Sequence, residues 1–454
     1  MKHFAAIILA IVFVMSADAQ IGRRFPSEKK IVKDPVTGTM LTFLTSAPAG
    51  DSKIYQTHNQ WTSDGQWVIF RSNRVRGEAM AVNEKSGDIV QVTEGGYTGM
   101  LNVARKSMKL YFLRFPPGSN VPRGPGLDQP RSMQVVEVDL GKLFADSAAG
   151  SVKPAGTYQR VCGATPPELG AGGDMALDGA EDTVYFRVGR EAAASHLAPN
   201  TKLEKNFGPR NMGAGPSGIA AMNVNTGAIK YVVSVPFQIG HIQANPWVPG
   251  EIVFCWETGG KSPQRTWTVL ADGSGLRPVY PESEYEWVTH EAIFSKDEVA
   301  LAIMGHRKIP GGTADVGAGT AVGGANPGQE PEWGPSGTRE KPTGLGIVNL
   351  RTREMVIAGQ TLSGSGLWHV NGSSDGRWAV GDDFSRSVYL IDRHTREMIM
   401  LSTGHKPTAS DHPHPTFSPD GTRIEIESAM LSADGHSMNI CIIPVPEDWL
   451  KRKY

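Results

Sequence analysis

One phrase returns seven times along this chain, and it constrains the fold more tightly than anything else in the sequence. It is a polar residue, a short apolar stretch, a turn built on Asp or Gly, then a hydrophobic strand. The copies begin at His58, Leu101, Gly173, His241, His290, His369 and His414. A second phrase falls between them, an apolar strand, a polar turn and another strand, as in 80–90, 221–229, 268–277, 347–355 and 389–398. Such pairs read as hairpins. Four strands per unit, repeated seven times at intervals of about 40 to 80 residues, predict an all-β chain folded as a seven-bladed β-propeller of four-stranded antiparallel blades.

Composition agrees where it bears on this. The 454 residues include 53 glycines and 31 prolines, which suits a protein made of turns. No long segment shows a helical period, so residues 20–454 read as one propeller domain. The closing strand of the ring is expected within 21–50. The Gly- and Pro-rich stretch 309–343 reads as a long inserted loop, with lesser insertions at 116–130 and 191–217.

Residues 1–19 read as a signal peptide. Lys2 and His3 precede an apolar run from Phe4 to Met15, and Ala17-Asp18-Ala19 offers small residues for cleavage. The run is too short to span a bilayer comfortably, and no later stretch could. The expectation is an exported protein, periplasmic or secreted, without stable membrane insertion. A net charge of −1 gives no field that would favour nucleic acid. A monomer is expected. Cys162, Cys255 and Cys441 form no metal motif and allow one disulfide at most. Cys255 and Cys441 sit in apolar runs and are expected as buried thiols.

Histidines mark the repeat. His58, His369 and His414 each lie four residues before a Ser or Thr and six before the Asp of Asp-Gly. His241 stands to Pro246 as His414 stands to Pro419. His290 lies one residue out of register, which a β-bulge could absorb. Five of seven units thus place a histidine near the start of the strand that lines a propeller's channel. His412 adds a sixth. Two residues apart on a strand, it would stand beside His414, about 7 Å away at the backbone. A cluster of neutral imidazoles suits Mn, Zn, Ni or Fe better than Ca or Mg. His290, His412 and His414 are the expected metal ligands. His58, His241 and His369 are left for substrate binding and acid–base work. Arg71, Arg187, Arg210 and Arg265 lie near blade strands or loops and could clamp carboxylates.

Asp411 to Gly421, with its His-Pro-His-Pro core, resembles the closing motif of the oligogalacturonate lyases, seven-bladed propeller polysaccharide lyases. Gly240-His241 with Pro246, Phe254 to Glu257, Arg265-Thr266-Trp267 and Ala271-Asp272-Gly273 resemble that family's fourth blade. Thr289-His290-Glu291 resembles its fifth. The resemblance covers residues 235–300 and 405–445 and elsewhere is only that of propeller repeats. It implies a divalent cation on His290, His412 and His414, with manganese expected and calcium, zinc and nickel as other candidates. It implies His241 as the base and Arg210 as its assistant. The chain departs from the family at Ala409, where a glutamine ligand would stand, and at Cys255-Trp256-Glu257, where the family has Cys-His-Glu.

The implied reaction is β-elimination at a 4-O-linked uronate, giving a 4,5-unsaturated uronate. The substrate would be an acidic oligosaccharide, either oligogalacturonate or a glucuronate-containing glycan such as rhamnose-glucuronate. A carboxylate-bound cation would stabilise the enolate-like transition state while a neutral base removes the C5 proton. The competing reading is a non-catalytic periplasmic propeller that binds glycan or protein. The only Gly-x-Ser-x-Gly string, Gly372 to Gly376, reads as a propeller turn, which disfavours a serine hydrolase.

Overall fold

The computed structural model describes residues 20–119, 131–282, 287–304, 343–359 and 367–454. Each of the seven repeats becomes one antiparallel sheet. Blades two to six have four consecutive strands, ordered from the channel outward. Their inner strands are Thr98–Val103, Met175–Leu177, Ile239–Ala244, Val288–Ser295 and Leu367–Gly372, each at the position the repeat predicts.

Blades one and seven depart from the four-strand expectation: each has five. Thr416–Phe417, Arg423–Ser428 and Asn439–Pro444 form the inner part of blade seven. Met40–Phe43 and Lys30–Lys33 complete it, with Thr42 opposite Ile442 and Phe43 opposite Cys441. The ring is therefore closed by a hairpin from 21–50. Arg24–Phe25 then covers the outer edge of blade one, which otherwise comprises Asp51–Lys53, Trp67–Ser72, Ala79–Asn83 and Ile89–Gln91. Pairing both ends of the chain into the ring leaves fewer backbone groups unsatisfied at edges.

Apolar side chains pack between neighbouring blades. Leu41, Phe43, Trp378, Val380, Leu390, Ile424 and Ile443 join blades six and seven, and Val253, Val288, Leu301 and Val348 join four and five. Amide side chains staple the inner strands together. Asn102 donates to Met175 O at 3.1 Å and accepts from Leu177 N at 2.9 Å. Gln243 makes the same pair of bonds to Glu291 O and Ile293 N, at 3.0 and 2.9 Å.

The insertions differ in outcome. The segment 191–217 holds most of a short helix, Arg190–Ser195, and a 3-10 turn, Pro209–Asn211. A second helix, Leu140–Ala148, is capped by Asp139 accepting from Lys142 N at 2.9 Å. Residues 1–19, 120–130 and 309–342 lie outside the described residues, and with them the expected leader and most of two predicted loops. All three cysteines are free and buried. Among the described residues no helix is long and apolar enough to cross a membrane.

Candidate metal centre and active site

The inner strands do not run straight at the channel mouth. His241, His290 and His414 all have left-handed backbones, with φ of 48°, 47° and 49°. Pairing slips between Gly240 and Gln243 in blade four and between Thr289 and Ala292 in blade five. Such a bulge turns one side chain out of the alternation, here into the channel. Blade five has a second slip between Ile293 and Ser295, which takes up the extra residue that put His290 out of register. A left-handed conformation is strained for a histidine, and its recurrence at one position marks a site held in place by its surroundings.

Five histidines and one tyrosine meet there. His369 is the hub, its ring centroid 3.8 Å from His414, 4.2 Å from His290 and 5.2 Å from His412. Tyr55 lies 5.0 Å from His241 and 5.1 Å from His414, and its hydroxyl is 2.7 Å from His290 Nδ1. Buried carboxylates hold the rings from behind. Asp382 accepts from the backbone N–H groups of His369 and His414 at 2.8 and 3.1 Å, and lies 3.2 Å from His369 Nδ1. Glu427 is 3.0 Å from His414 Nδ1. Glu291 accepts from His241 Nδ1 at 2.7 Å and from Arg265 Nε at 3.0 Å. A Cβ at Gly240 would stand 2.8 Å from the Glu257 side chain, so only glycine lets Glu257 approach within 3.7 Å of His241 Nε2.

The electrostatics divide these imidazoles into two kinds. Burial, reinforced by the other histidines, pushes His290 and His369 well below the ordinary histidine value. Burial also lowers His412, and takes His414 to about 4. These four are neutral, the form that binds metals. His241 goes the other way: burial opposes its charge, but Glu291 and Glu257 outweigh burial and raise it. Burial likewise works against charge on Glu291, yet Arg265 and His241 hold that carboxyl at about 2.

The donor set fits a divalent cation. His369, Asp382 and His412 offer ligand atoms within 4.8 Å of one another, and so do Asp411, His414 and Glu427. Nδ1 of His412 is buried without a hydrogen-bond partner, 3.8 Å from Asp382. A ring nitrogen of His369 and of His414 faces a carboxylate, which leaves the other for a metal, as is usual for metal-bound histidines.

The structure sorts the residues singled out in the sequence. His241, His290, His369, His412 and His414 come together in one cluster. His58 does not join them. A turn closed by His58 N donating to Tyr55 O at 3.0 Å brings Tyr55 into the ring instead. Both nitrogens of His58 are engaged, by Thr57 Oγ1 at 2.7 Å and Met175 O at 2.9 Å, so its expected substrate role loses its donor. Arg265 is buried between Glu291 and Glu257, an internal counter-ion rather than an exposed clamp. Arg210 is exposed, with a hydrogen bond to Met212 Sδ and none to His241. Arg187 reaches Asp174 at 3.4 Å and Ile239 O at 3.4 Å. Arg71 makes no ion pair among the described residues. It touches Gly99 O and Met100 Sδ, and its Nε is buried and unpartnered.

Sequence reasoning missed Tyr55, Asp382, Glu427 and the position of Glu291. A signal existed for the carboxylates: each interrupts a strand whose other residues are nearly all buried, as in Trp378–Asp383, Arg423–Ser428 and Val288–Ser295. A charge in such a strand needs a partner.

Fold and site together define a seven-bladed propeller with a histidine-lined, carboxylate-backed channel mouth. Two solved structures share this fold. One is described as oligogalacturonate lyase in complex with manganese, at a TM-score of 0.68 and 17% sequence identity, over 95% of this chain and 100% of that one. The other is oligogalacturonate lyase from Vibrio parahaemolyticus, at 0.66 and 17% identity with the same coverage. No family model matches the sequence, and no curated protein does.

Proposed function

We propose that this chain is a metal-assisted lyase that cleaves a 4-O-linked uronate by β-elimination and leaves a 4,5-unsaturated uronate. The substrate is an acidic oligosaccharide, oligogalacturonate or a glucuronate-containing glycan. The observation that carries the reading is His241, a histidine made more basic by Glu291, set beside four neutral histidines suited to a cation.

Each part has its residue. Glu291 accepts the Nδ1 proton of His241, so the lone pair lies on Nε2. Nε2 takes the C5 proton of the uronate. Glu257 and Arg265 hold the ring and its counter-charge in place. His290, His412 and His414, with His369 among them, would hold a divalent cation, and manganese is the ion named in one structural neighbour. Bound there, the cation would neutralise the substrate carboxylate and make the C5 proton easier to remove. Arg71, a guanidinium without an ion pair among the described residues, would take a substrate carboxylate. With His290 donating its Nδ1 proton to the Tyr55 oxygen, Tyr55 keeps its own proton for the departing O4. Burial raises that phenol well above its usual value, so it stays protonated. The leader sequence is consistent with action outside the cytoplasm.

The test is ultraviolet absorbance of unsaturated product from a panel of uronate oligosaccharides, with and without chelator. His241→Ala should abolish the signal while metal content by elemental analysis stays that of the native protein. No product from any uronate, together with no bound metal, would leave a binding propeller as the better reading.

A further inference from the structure

Blade six brings three side chains to the edge of this histidine cluster that the reaction above does not use. Trp368 precedes His369 on the inner strand and is partly exposed. Its ring lies 4.4 Å from His290, 4.9 Å from Phe384 and 6.4 Å from His412. Phe384 and Arg386 lie in the turn between Trp378–Asp383 and Val388–Asp392. Phe384 stands edge-on to His412, with centroids 6.3 Å apart.

This turn is built, not loose. Asp383 accepts from Ser387 N at 2.9 Å and Ser385 Oγ at 2.7 Å, and Arg386 N donates back to Asp383 O at 2.9 Å. Arg386 has a left-handed backbone, φ 66°. Its guanidinium donates to Asp411 O and makes no ion pair among the described residues. A partly exposed tryptophan and phenylalanine beside a cationic fork are costly to leave facing water, and together they match a pyranose ring bearing a carboxylate.

We propose that Trp368, Phe384 and Arg386 form a further sugar subsite, which binds a third uronate beyond the two joined by the linkage cleaved at the histidine cluster. The aromatic pair takes the apolar face of that sugar, and Arg386 takes its carboxylate. The site therefore selects substrates of more than two acidic residues and sets how the chain lies across the mouth. This rests on the lyase reading for the identity of the sugar.

The experiment is calorimetric titration of the metal-loaded protein with oligogalacturonates and oligoglucuronates, from disaccharide to tetrasaccharide, alongside product formation. The native protein is expected to bind one series more tightly at trisaccharide than at disaccharide. Trp368→Ala and Arg386→Gln should each weaken the trisaccharide roughly tenfold and leave the disaccharide within about twofold. Trp368→Tyr should restore most of the loss, which also guards against misfolding. Metal content should not change. Trisaccharide affinity unaltered in both variants would overturn the subsite, and so would a loss accompanied by loss of metal. Unsaturated product without any length preference would remove the subsite and leave the lyase. Length-dependent binding without product would do the reverse.

Discussion

Asp382 tests the metal centre most directly, because its neutral isostere should move two measurements in opposite directions. The carboxylate is buried, and burial raises it above the usual range despite the nearby histidines. No lysine or arginine pairs with it among the described residues. Its charge therefore works against folding of the metal-free protein, and Asp382→Asn should leave that form as stable or more stable by about 1 kcal/mol. Metal binding should respond otherwise. The carboxylate lies 3.2 Å from His369 and 3.8 Å from His412, and it is in the same donor set. Loss of such support weakens metal affinity by about 10- to 100-fold. At a metal concentration of 100 times the native Kd, the native protein gains about 2.7 kcal/mol of stability. A variant bound 100-fold more weakly gains only about 0.4 kcal/mol under the same conditions. Thermal unfolding with chelator and with manganese reads both quantities in one series. A variant that loses stability without metal, yet keeps the full metal-induced gain, would refute the argument that Asp382 serves the cation.

Two further outcomes follow from buried carboxylates. Glu291→Gln removes the group that raises His241, so the acid limb of the pH–rate profile should move to lower pH while turnover falls about 100-fold or more. It also strips a partner from Arg265, and unfolding by denaturant should show a loss of about 3 kcal/mol; an unchanged pH profile would sink the assignment of Glu291 as the group that tunes the base. Glu425 is fully buried with both oxygens unpartnered, and burial, only partly offset by Lys53, raises it to about 8. Its folded value lies above its unfolded one, so its contribution is greatest in acid and is lost as pH rises through about 8. Native stability should fall between pH about 5 and about 9, and Glu425→Gln should flatten that slope by a few kcal/mol; equal slopes in the two proteins would contradict it.

The sequence by itself determined the ring and the places where its histidines fall. Alternating strands and Asp-Gly turns are local, each decided by neighbours within a few residues, and seven copies in a row leave few ways to bury the apolar faces. The repeat position alone picked out His58, His241, His290, His369 and His414, of which the last four meet in the structure. The tertiary structure decided which of the marked residues act together. Tyr55 replaces His58 because of one turn, and its partner His290 is 235 residues away in the chain. Asp382 and Glu427 each follow by 13 residues the histidine they hold, on the next strand of the same blade, whereas Glu291 became a support of His241, and Arg265 a buried counter-ion, only when blades four and five met at the channel. Contacts between blades, such as Tyr55 with His290 and Glu291 with His241, leave no periodic trace in the chain. They depend on which side chains a bulge turns inward, and this is settled only once the two ends of the sheet ring have met.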